Sequence, residues 1–189
     1  MVGAGCASGG GANDPSSSSA VEPTKLENAA GPAGDGPVER TSGATAPSFT
    51  LETLDGDSVS LSDYQGDKVV LIDFWATTCK PCLAEMPELV ELYERKKAEG
   101  LEVLAISADG PETLSNVQAT VKRLDMSFPI LLDTETEVMD RYNPKGELPF
   151  TVVINRRGEI IMKRASFQAG DTQAIKTLEA AVDKALADK

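Results

Sequence analysis

The stretch FWATTCKPC, residues 74–82, holds two of the three cysteines of the chain, separated by two residues. It follows the apolar run VVLIDF at 69–74 and precedes LAEMPELVELY at 83–93, which repeats its apolar residues at helical spacing. A continuous apolar run is typical of a strand buried on both faces, and helical spacing is typical of an amphipathic helix. The pattern therefore predicts a buried strand, a short loop and a helix, with Cys79 and Cys82 where the helix begins.

The composition of the chain limits its function classes. Its 189 residues suit one domain of ordinary size with a tail, and 41% of them are hydrophobic, which is enough for a core. No apolar run approaches the ~20 residues that span a bilayer. The net charge of −12 argues against nucleic-acid binding, which needs clustered Lys and Arg. Because the chain contains no histidine, a Ser-His-Asp triad, a Cys/His pair and a His-rich metal site are excluded.

The first 45 residues differ in composition from the rest of the chain. Gly, Ser, Pro and Ala dominate them, Ser16–Ser19 is a serine run, and no periodic apolar face is present. Such a segment buries too little surface to offset the entropy lost on ordering. We therefore predict a disordered tether at 1–45 and a folded domain at 46–189.

Cys6 stands far from the other two cysteines, within this tether. The residues before it, Val2-Gly3-Ala4-Gly5, resemble the cleavage region of a bacterial lipoprotein, in which the cysteine becomes lipidated and a flexible tether follows. No basic and apolar regions of a signal peptide precede it, and Gly3 stands where a Leu-like residue is usual. Two interpretations stay open: a lipid-attachment cysteine behind an internal start at Met1, or an incidental cysteine.

Beyond residue 46 the pattern predicts an α/β fold, a mixed sheet with helices on both faces. Turn signals and apolar periodicity give the elements in chain order. They are a hairpin around Asp55-Gly56, a buried strand at 68–75, a helix ending near Gly100, a strand at 101–106, a helix from Pro111 to Leu124, a short strand at 129–132, a helical turn at 137–142, a hairpin of 150–154 with 159–163, and a last helix carrying Ile175 to Leu186.

Cys79 and Cys82 can close a disulfide within one helical turn. The first cysteine meets the free N–H groups and the positive end of the helix dipole, which stabilise a thiolate. Cys79 is therefore the predicted nucleophile and Cys82 the resolving thiol, while Lys80 adds positive charge and Pro81 sets φ for helix entry. Two inert buried cysteines are one alternative. A metal site is the other, but the pair supplies only two of the four ligands of zinc, which leaves a site shared across a dimer.

The motifs Asp73-Phe74-Trp75-Ala76 and Cys79-Lys80-Pro81-Cys82 together resemble the active-site segment of the thioredoxin superfamily. The continuation Glu85-Met86-Pro87, the preceding hairpin and an insertion around Pro111–Asp140 are similar to the TlpA/ResA-like branch. The resemblance covers roughly residues 46–186. It implies a thioredoxin-like fold, with a central mixed β-sheet flanked by helices, an N-terminal β-hairpin and a central βα-type insertion.

Members of that branch are extracytoplasmic, membrane-tethered thiol–disulfide oxidoreductases, often reductants in cytochrome c maturation. The resemblance implies exchange with protein thiols and disulfides through a redox-active Cys79–Cys82 disulfide, with no other cofactor and no metal. It also implies a membrane-bound electron donor or acceptor. We expect a monomer that meets the membrane only through a lipid anchor at Cys6, and no nucleic-acid partner.

The segment Leu148-Pro149-Phe150-Thr151 matches the proline loop of the family. The match implies a cis Pro149 packed beside the disulfide, with Leu148 near the substrate; a strand-entry proline is the plain alternative. Trp75 would flank the active site and contact substrates, and its alternative is a core aromatic. Pro87 matches the proline that kinks the active-site helix.

Asp73 lies in the apolar strand, where a carboxylate is costly unless it is paired or protonated. Its position matches the buried acid beneath the disulfide of thioredoxins, which implies a proton acceptor for Cys82 with a pKa raised by desolvation. The alternative is an Asp at the end of the strand that reaches solvent. Glu85, one turn past Cys82, is either a second acid near the site or a solvated helix residue.

Two positions depart from the family pattern. Thr78 stands in place of a tryptophan, which predicts a more open and polar lip above Cys79 and affects the choice of partner. Lys80 stands in place of an acidic residue or glycine and favours the thiolate, so the direction of the reaction, reduction or oxidation, stays open. Together with Pro81, these two residues are the predicted substrate-binding positions beside the dithiol.

Two other functions are alternatives to thiol–disulfide exchange. A peroxiredoxin-like peroxidase would carry a threonine and a proline where this chain has Ala76 and Ile72. A copper-binding module using the CxxC would add a distant histidine, and the chain has none.

Overall fold

The computed structural model describes residues 38–39 and 43–188. Cys6 and the first 37 residues of the predicted tether lie outside the described residues. The described part of the chain forms one sheet of nine strands. They are β1 (Val38–Glu39), β2 (Ala44–Thr45), β3 (Thr50–Thr53), β4 (Ser58–Ser60), β5 (Val69–Trp75), β6 (Leu101–Ser107), β7 (Ile130–Leu132), β8 (Phe150–Ile154) and β9 (Glu159–Ala165).

Four α-helices and three short 3₁₀ segments complete the described fold. The α-helices are α1 (Lys80–Lys96), α2 (Leu114–Arg123), α3 (Glu137–Tyr142) and α4 (Thr172–Ala187). The 3₁₀ segments are Leu61–Tyr64, Lys97–Glu99 and Pro111–Thr113.

Strand β5 lies near the middle of the sheet and has a partner on each side. The strand order is β1-β9-β8-β5-β6-β7-β3-β4, with β2 also paired to β9. Strands β5, β6 and β7 run parallel, and the other pairs are antiparallel. Parallel neighbours need crossover connections, which α1 and α2 supply. All seven residues of β5 are buried, as expected of a strand covered on both faces.

Two hydrophobic clusters cover the opposite faces of this sheet. Side chains of α1, α2 and α4 form the first cluster, together with Leu71 and Trp75 of β5. The 3₁₀ segment after β4 and α3 contribute to the second cluster, together with Ile72 and Phe74 of β5. Because successive side chains of a strand point to opposite faces, Asp73 lies on the face that α1 covers.

The structure confirms the predicted α/β fold and the predicted order of elements. The predicted insertion at Pro111–Asp140 contains α2, β7 and the start of α3. Strand pairing begins before the predicted domain start at residue 46, because β1 and β2 pair with β9. The division into a tether at 1–45 and a domain at 46–189 otherwise stays a prediction.

Arg156 connects the turn between β8 and β9 to the end of α4. Its Nη1 donates to the backbone carbonyls of Leu186 at 3.0 Å, Asp188 at 3.1 Å and Ala185 at 3.4 Å, and its Nε donates to the carbonyl of Asp67 at 3.1 Å. The last carbonyls of a helix lack partners within the helix, so a side-chain donor at this end stabilises it.

Replacing Arg156 with methionine keeps an apolar stem and removes these donors. Because hydrogen bonds to charged groups contribute about 1.5–3 kcal/mol, we expect Arg156→Met to lower the free energy of unfolding by about 1–3 kcal/mol in urea denaturation. The matched control is Arg157→Met, whose side chain is 61% exposed and whose ion pair with Glu159 should contribute less than about 1 kcal/mol. Equal losses in the two variants would contradict the capping role.

Candidate active site

A disulfide joins Cys79 and Cys82 where the chain leaves β5 and enters α1. Their Cα atoms are 5.3 Å apart. Cys79 is the N-cap of α1, and its Sγ accepts a hydrogen bond from the backbone N–H of Cys82 at 3.2 Å. Cys79 is partly exposed, whereas Cys82 is fully buried. A partner can therefore reach the first cysteine, which lies at the positive end of the helix dipole, but not the second.

Thr78, Lys80 and Pro81 surround Cys79 at the surface. All three are exposed, so each is accessible to a partner that approaches the sulfur of Cys79. A threonine at position 78 leaves this rim polar. Whether these residues contact a partner stays a prediction.

The loop before β8 reaches the same end of β5. The Leu148–Pro149 peptide bond is cis, as predicted. Phe150 lies opposite Phe74 in the register of β8 and β5, which brings Pro149 to the end of β5 where the CxxC loop begins. Pro149 is buried, while Leu148 is partly exposed and packs against the α1-side cluster.

The burial of Trp75 corrects its predicted role as a substrate-binding residue. Its side chain is fully buried in the hydrophobic cluster that contains Cys82 and Met86. Its Nε1 has no hydrogen-bond partner among the described residues. Because strand alternation points the indole under α1, Trp75 supports the dithiol from within the core and cannot contact a substrate in this arrangement.

A row of polar side chains crosses three strands beneath α1. Asp73 of β5 lies opposite Thr151 of β8, and Thr151 lies opposite Arg164 of β9. Thr151 Oγ1 donates to Asp73 Oδ1 at 3.2 Å, and Arg164 Nη2 donates to Thr151 Oγ1 at 3.1 Å. Asp73 is fully buried, so the alternative in which it reaches solvent is wrong.

Glu85 joins this row from α1. It is fully buried, and its Oε1 accepts a hydrogen bond from Arg164 Nη2 within an ion pair. Arg164 is 1% exposed, and its guanidinium carbon lies 5.8 Å from the centre of the Phe167 ring, a cation–π contact. The interpretation of Glu85 as a solvated helix residue is therefore wrong. It is a second buried acid, one helical turn past Cys82 on the same face of α1.

The environment of Asp73 makes its carboxyl group titrate near neutral pH. Burial raises the pKa of Asp73 to about 7, although the positive charge of Arg164 and the hydrogen bond from Thr151 both lower it. Asp73 Oδ2 has no hydrogen-bond partner among the described residues. Such a carboxyl group can accept and release a proton under ordinary conditions, which suits acid–base chemistry beside a thiol.

Asp109 holds the loop that leads to Cys79. It follows β6, is 6% exposed, and accepts two hydrogen bonds from Thr77, one from the backbone N–H at 2.9 Å and one from the hydroxyl at 2.5 Å. The hydroxyl of Ser107 also donates to Asp109, at 2.8 Å. These contacts join the ends of two neighbouring parallel strands just before the nucleophile.

Three residues of this site, Thr77, Asp109 and Arg164, are absent from the sequence-based predictions. A signal for Asp109 exists, because it follows a buried strand at the carboxyl edge of parallel strands, where sites in α/β sheets form. A weaker signal exists for Arg164, because Met162 is buried in the α1-side cluster and a period of two continues to Arg164. No sequence pattern pairs Arg164 with Glu85, since that contact joins separate elements.

A sheet of this topology, with a CxxC at the start of a helix and a cis-proline loop beside it, defines a thioredoxin-fold dithiol protein. The AhpC/TSA family model matches residues 42–163. The thiol-disulfide oxidoreductase ResA of Geobacillus kaustophilus is 42% identical over 118 residues, which cover 62% of this chain and 66% of that protein. The chain thus spans slightly less than two thirds of the length of this relative.

Solved structures share the fold. The thioredoxin domain of a thiol-disulfide oxidoreductase from Bacteroides vulgatus superimposes with a TM-score of 0.63 at 28% identity, covering 76% of this chain and 99% of that one. A secreted disulfide oxidoreductase of Mycobacterium tuberculosis gives 0.58 at 25% identity, covering 72% and 95%. The chain belongs to the AhpC/TSA family. Its similarity to ResA within that family confirms the TlpA/ResA-like resemblance found in its CxxC segment.

The hydrogen bond between Thr77 and Asp109 can be removed with little change of shape. Thr77→Val deletes the hydroxyl donor to a buried carboxylate, so we expect the free energy of unfolding to fall by about 1–2 kcal/mol in urea denaturation. Thr78→Val is the control, because Thr78 is exposed and its replacement should change stability by less than about 0.5 kcal/mol. A loss in Thr78→Val as large as that in Thr77→Val would contradict this account of the loop.

The raised pKa of Asp73 makes the stability of the fold depend on pH. Between about pH 4 and pH 7 the unfolded chain releases a proton that folded Asp73 keeps, so the free energy of unfolding of the wild type falls as pH rises through this window. Asp73→Asn cannot titrate. We expect its stability relative to the wild type to increase by about 2–4 kcal/mol between pH 4 and pH 8, measured by urea unfolding of the oxidised proteins. A difference that does not change with pH would contradict the raised pKa.

Proposed function

We propose that this chain is a thiol–disulfide oxidoreductase that exchanges disulfides with protein partners through Cys79 and Cys82. One observation carries the proposal: the two sulfurs form a disulfide at a helix start, with Cys79 partly exposed and Cys82 fully buried behind it. This asymmetry is what a nucleophile and a resolving thiol require. The names of the relatives, thiol-disulfide oxidoreductase and disulfide oxidoreductase, support the same activity.

The first step of the exchange uses the exposed sulfur. In the reduced protein the Cys79 thiolate attacks one sulfur of the partner's disulfide, and the other partner sulfur leaves as a thiolate. The backbone N–H of Cys82 and the N-terminus of α1 stabilise the attacking thiolate.

The second step uses the buried sulfur. Cys82 gives its proton to the Asp73 carboxylate and attacks Cys79 Sγ, which breaks the mixed disulfide and releases the second partner sulfur as a thiolate. Two electrons pass from the dithiol to the partner, and protons from Asp73 and solvent complete the partner's thiols. The raised pKa of Asp73 and its burial on the α1 side of the sheet support this role.

The partner would dock on the rim around Cys79. Thr78, Lys80 and Pro81 supply its exposed side, and Leu148 with cis Pro149 supplies the other. A threonine at position 78 would favour partners with polar residues beside their cysteine, and Lys80 would favour acidic ones. Trp75 has no place in this surface because of its burial.

The cellular role follows from the relatives and the tether. We infer an extracytoplasmic reductant, in thiol homeostasis or cytochrome c maturation, that receives electrons from a membrane-bound donor and acts as a monomer. The secreted M. tuberculosis neighbour supports the location. No helix among the described residues is long and apolar enough to cross a membrane. A lipid anchor at Cys6, which lies outside the described residues, would tether the protein.

Insulin reduction with dithiothreitol as electron source tests the activity. We expect turnover by the chain carrying Cys6→Ser, which leaves only the CxxC thiols, and none above background after the further change Cys79→Ser. Cys82→Ser should instead accumulate a mixed disulfide on Cys79, detected by mass spectrometry of the alkylated protein, because the resolving attack is lost. Wild-type turnover by the Cys79→Ser protein would refute the mechanism.

Two alternative functions are distinguished by further measurements on the same variants. Consumption of hydrogen peroxide by the reduced protein without insulin reduction would indicate a peroxidase. Stoichiometric copper binding without disulfide exchange would indicate a metal-binding module. Among the described residues no group of three or more His, Cys, Asp or Glu side chains is arranged to hold a metal ion.

A further inference from the structure

Thr151 and Arg164 support an inference that rests on the proposed exchange reaction and deepens it. We propose that they are positioning residues for proton transfer: Arg164 orients the Thr151 hydroxyl toward Asp73 Oδ1, so that Asp73 Oδ2 is the atom that takes the proton of Cys82. The inference assigns a function to two residues outside the CxxC and the proline loop.

The hydrogen-bond directions follow from a count of protons. Arg164 Nη2 carries two hydrogens, and it donates to both Glu85 Oε1 and Thr151 Oγ1. A hydroxyl that accepts a hydrogen bond still has its own single proton to donate, and the Thr151 hydroxyl lies 3.2 Å from Asp73 Oδ1. Asp73 Oδ1 is therefore an acceptor, and a proton arriving on Asp73 binds to Oδ2.

The surroundings of Oδ2 suit this assignment. This oxygen is buried and has no hydrogen-bond partner among the described residues. Asp73 and Trp75 lie on the same face of β5, and Trp75 shares a cluster with Cys82. Because α1 starts at the end of β5 and runs back over the sheet, its first turn, with Cys82, lies above this part of the strand.

Glu85 is the competing acid, and its ion pair removes it from competition. It lies one turn past Cys82 on the buried face of α1, but Arg164 donates to its Oε1. A guanidinium stays charged under all ordinary conditions, so a buried carboxylate bound to it is stabilised as the ion. Arg164 thereby compensates the charge of Glu85 and leaves Asp73 as the carboxyl group that can change its protonation.

The other elements packed on this face bring no further charge to Asp73. Strand β6 places Ala105 beside it in the register, and α4 contributes Leu178 and Val182 to the cluster. The titratable and charged groups facing Asp73 are thus Cys82 and Glu85 from α1 and Arg164 from β9.

The test is the pH dependence of the second step. Reduced protein is mixed with oxidised glutathione, and closure of the Cys79–Cys82 disulfide is followed by the fluorescence of Trp75, the single tryptophan, and by mass spectrometry of quenched samples. Closure needs ionised Asp73, so its rate should rise with pH to a plateau, with an inflection near the pKa of Asp73, about 7.

Thr151→Val keeps the β-branched shape and removes the hydroxyl. We expect its inflection to move upward by at least about half a pH unit, because the carboxylate loses a hydrogen bond that favours its charged form. Thr151→Ser restores a hydroxyl and should restore the wild-type inflection. A merely structural role of Thr151 would lower stability in thermal unfolding without moving the inflection.

Arg164 is tested with its ion-pair partner, because Arg164→Met alone would leave Glu85 buried without compensation. The double variant Arg164→Met with Glu85→Gln should move the inflection upward, since Asp73 loses the positive charge that lowers its pKa. Glu85→Gln alone should move it downward, since the charge of Arg164 then acts on Asp73 uncompensated. Opposite shifts in these two variants are a signature that loss of packing does not produce.

The outcomes separate this inference from the proposed function. An unchanged inflection in Thr151→Val and in the double variant, with the inflection abolished by Asp73→Asn, would overturn the positioning role and leave the exchange reaction intact. A wild-type protein that does not close its disulfide on glutathione would instead refute the proposed function.

Discussion

The register of β5, β8 and β9 is the constraint on which the site depends. It aligns Asp73, Thr151 and Arg164 in one row beneath α1. A buried guanidinium must be compensated, because an unpaired buried charge costs about 3–5 kcal/mol, and Glu85 compensates it from the helix above. A slip of one residue in any of these strands would turn its member of the row to the other face. Sheet pairing therefore decides which acid meets the charge.

The dithiol depends on a second constraint, the transition from a buried strand to a helix. Strand β5 carries the chain through the core to Trp75, and α1 begins five residues later, at Lys80. The N-cap position gives Cys79 exposure and a hydrogen bond to its sulfur, whereas Cys82 is already inside the first turn and buried. Asp109 holds the intervening loop through Thr77. The unequal exposure of the two sulfurs thus follows from backbone geometry and does not need a special residue at either cysteine.

Much of this architecture is predictable, because apolar periodicity reports burial directly. The continuous run at 69–74 predicts the central strand, and the cis bond at Pro149 follows from the proline loop that the chain shares with its relatives. Predictions from single positions were less reliable. Trp75 is inside the core and not in the substrate surface, and Glu85 is buried and not solvated. A residue's type and spacing do not say which neighbour it will meet across the sheet.

The amino-acid sequence by itself determined the fold class, the position of the CxxC at a helix start and the identity of the nucleophile, because periodicity, turn residues and the spacing of two cysteines are local properties. Only the tertiary structure decided how the buried charges are paired. Glu85, Thr151 and Arg164 are far apart in the chain, and their contacts exist only because α1 packs across β5, β8 and β9 in one register. Burial then raises the pKa of Asp73, since a low-dielectric environment penalises its charged form.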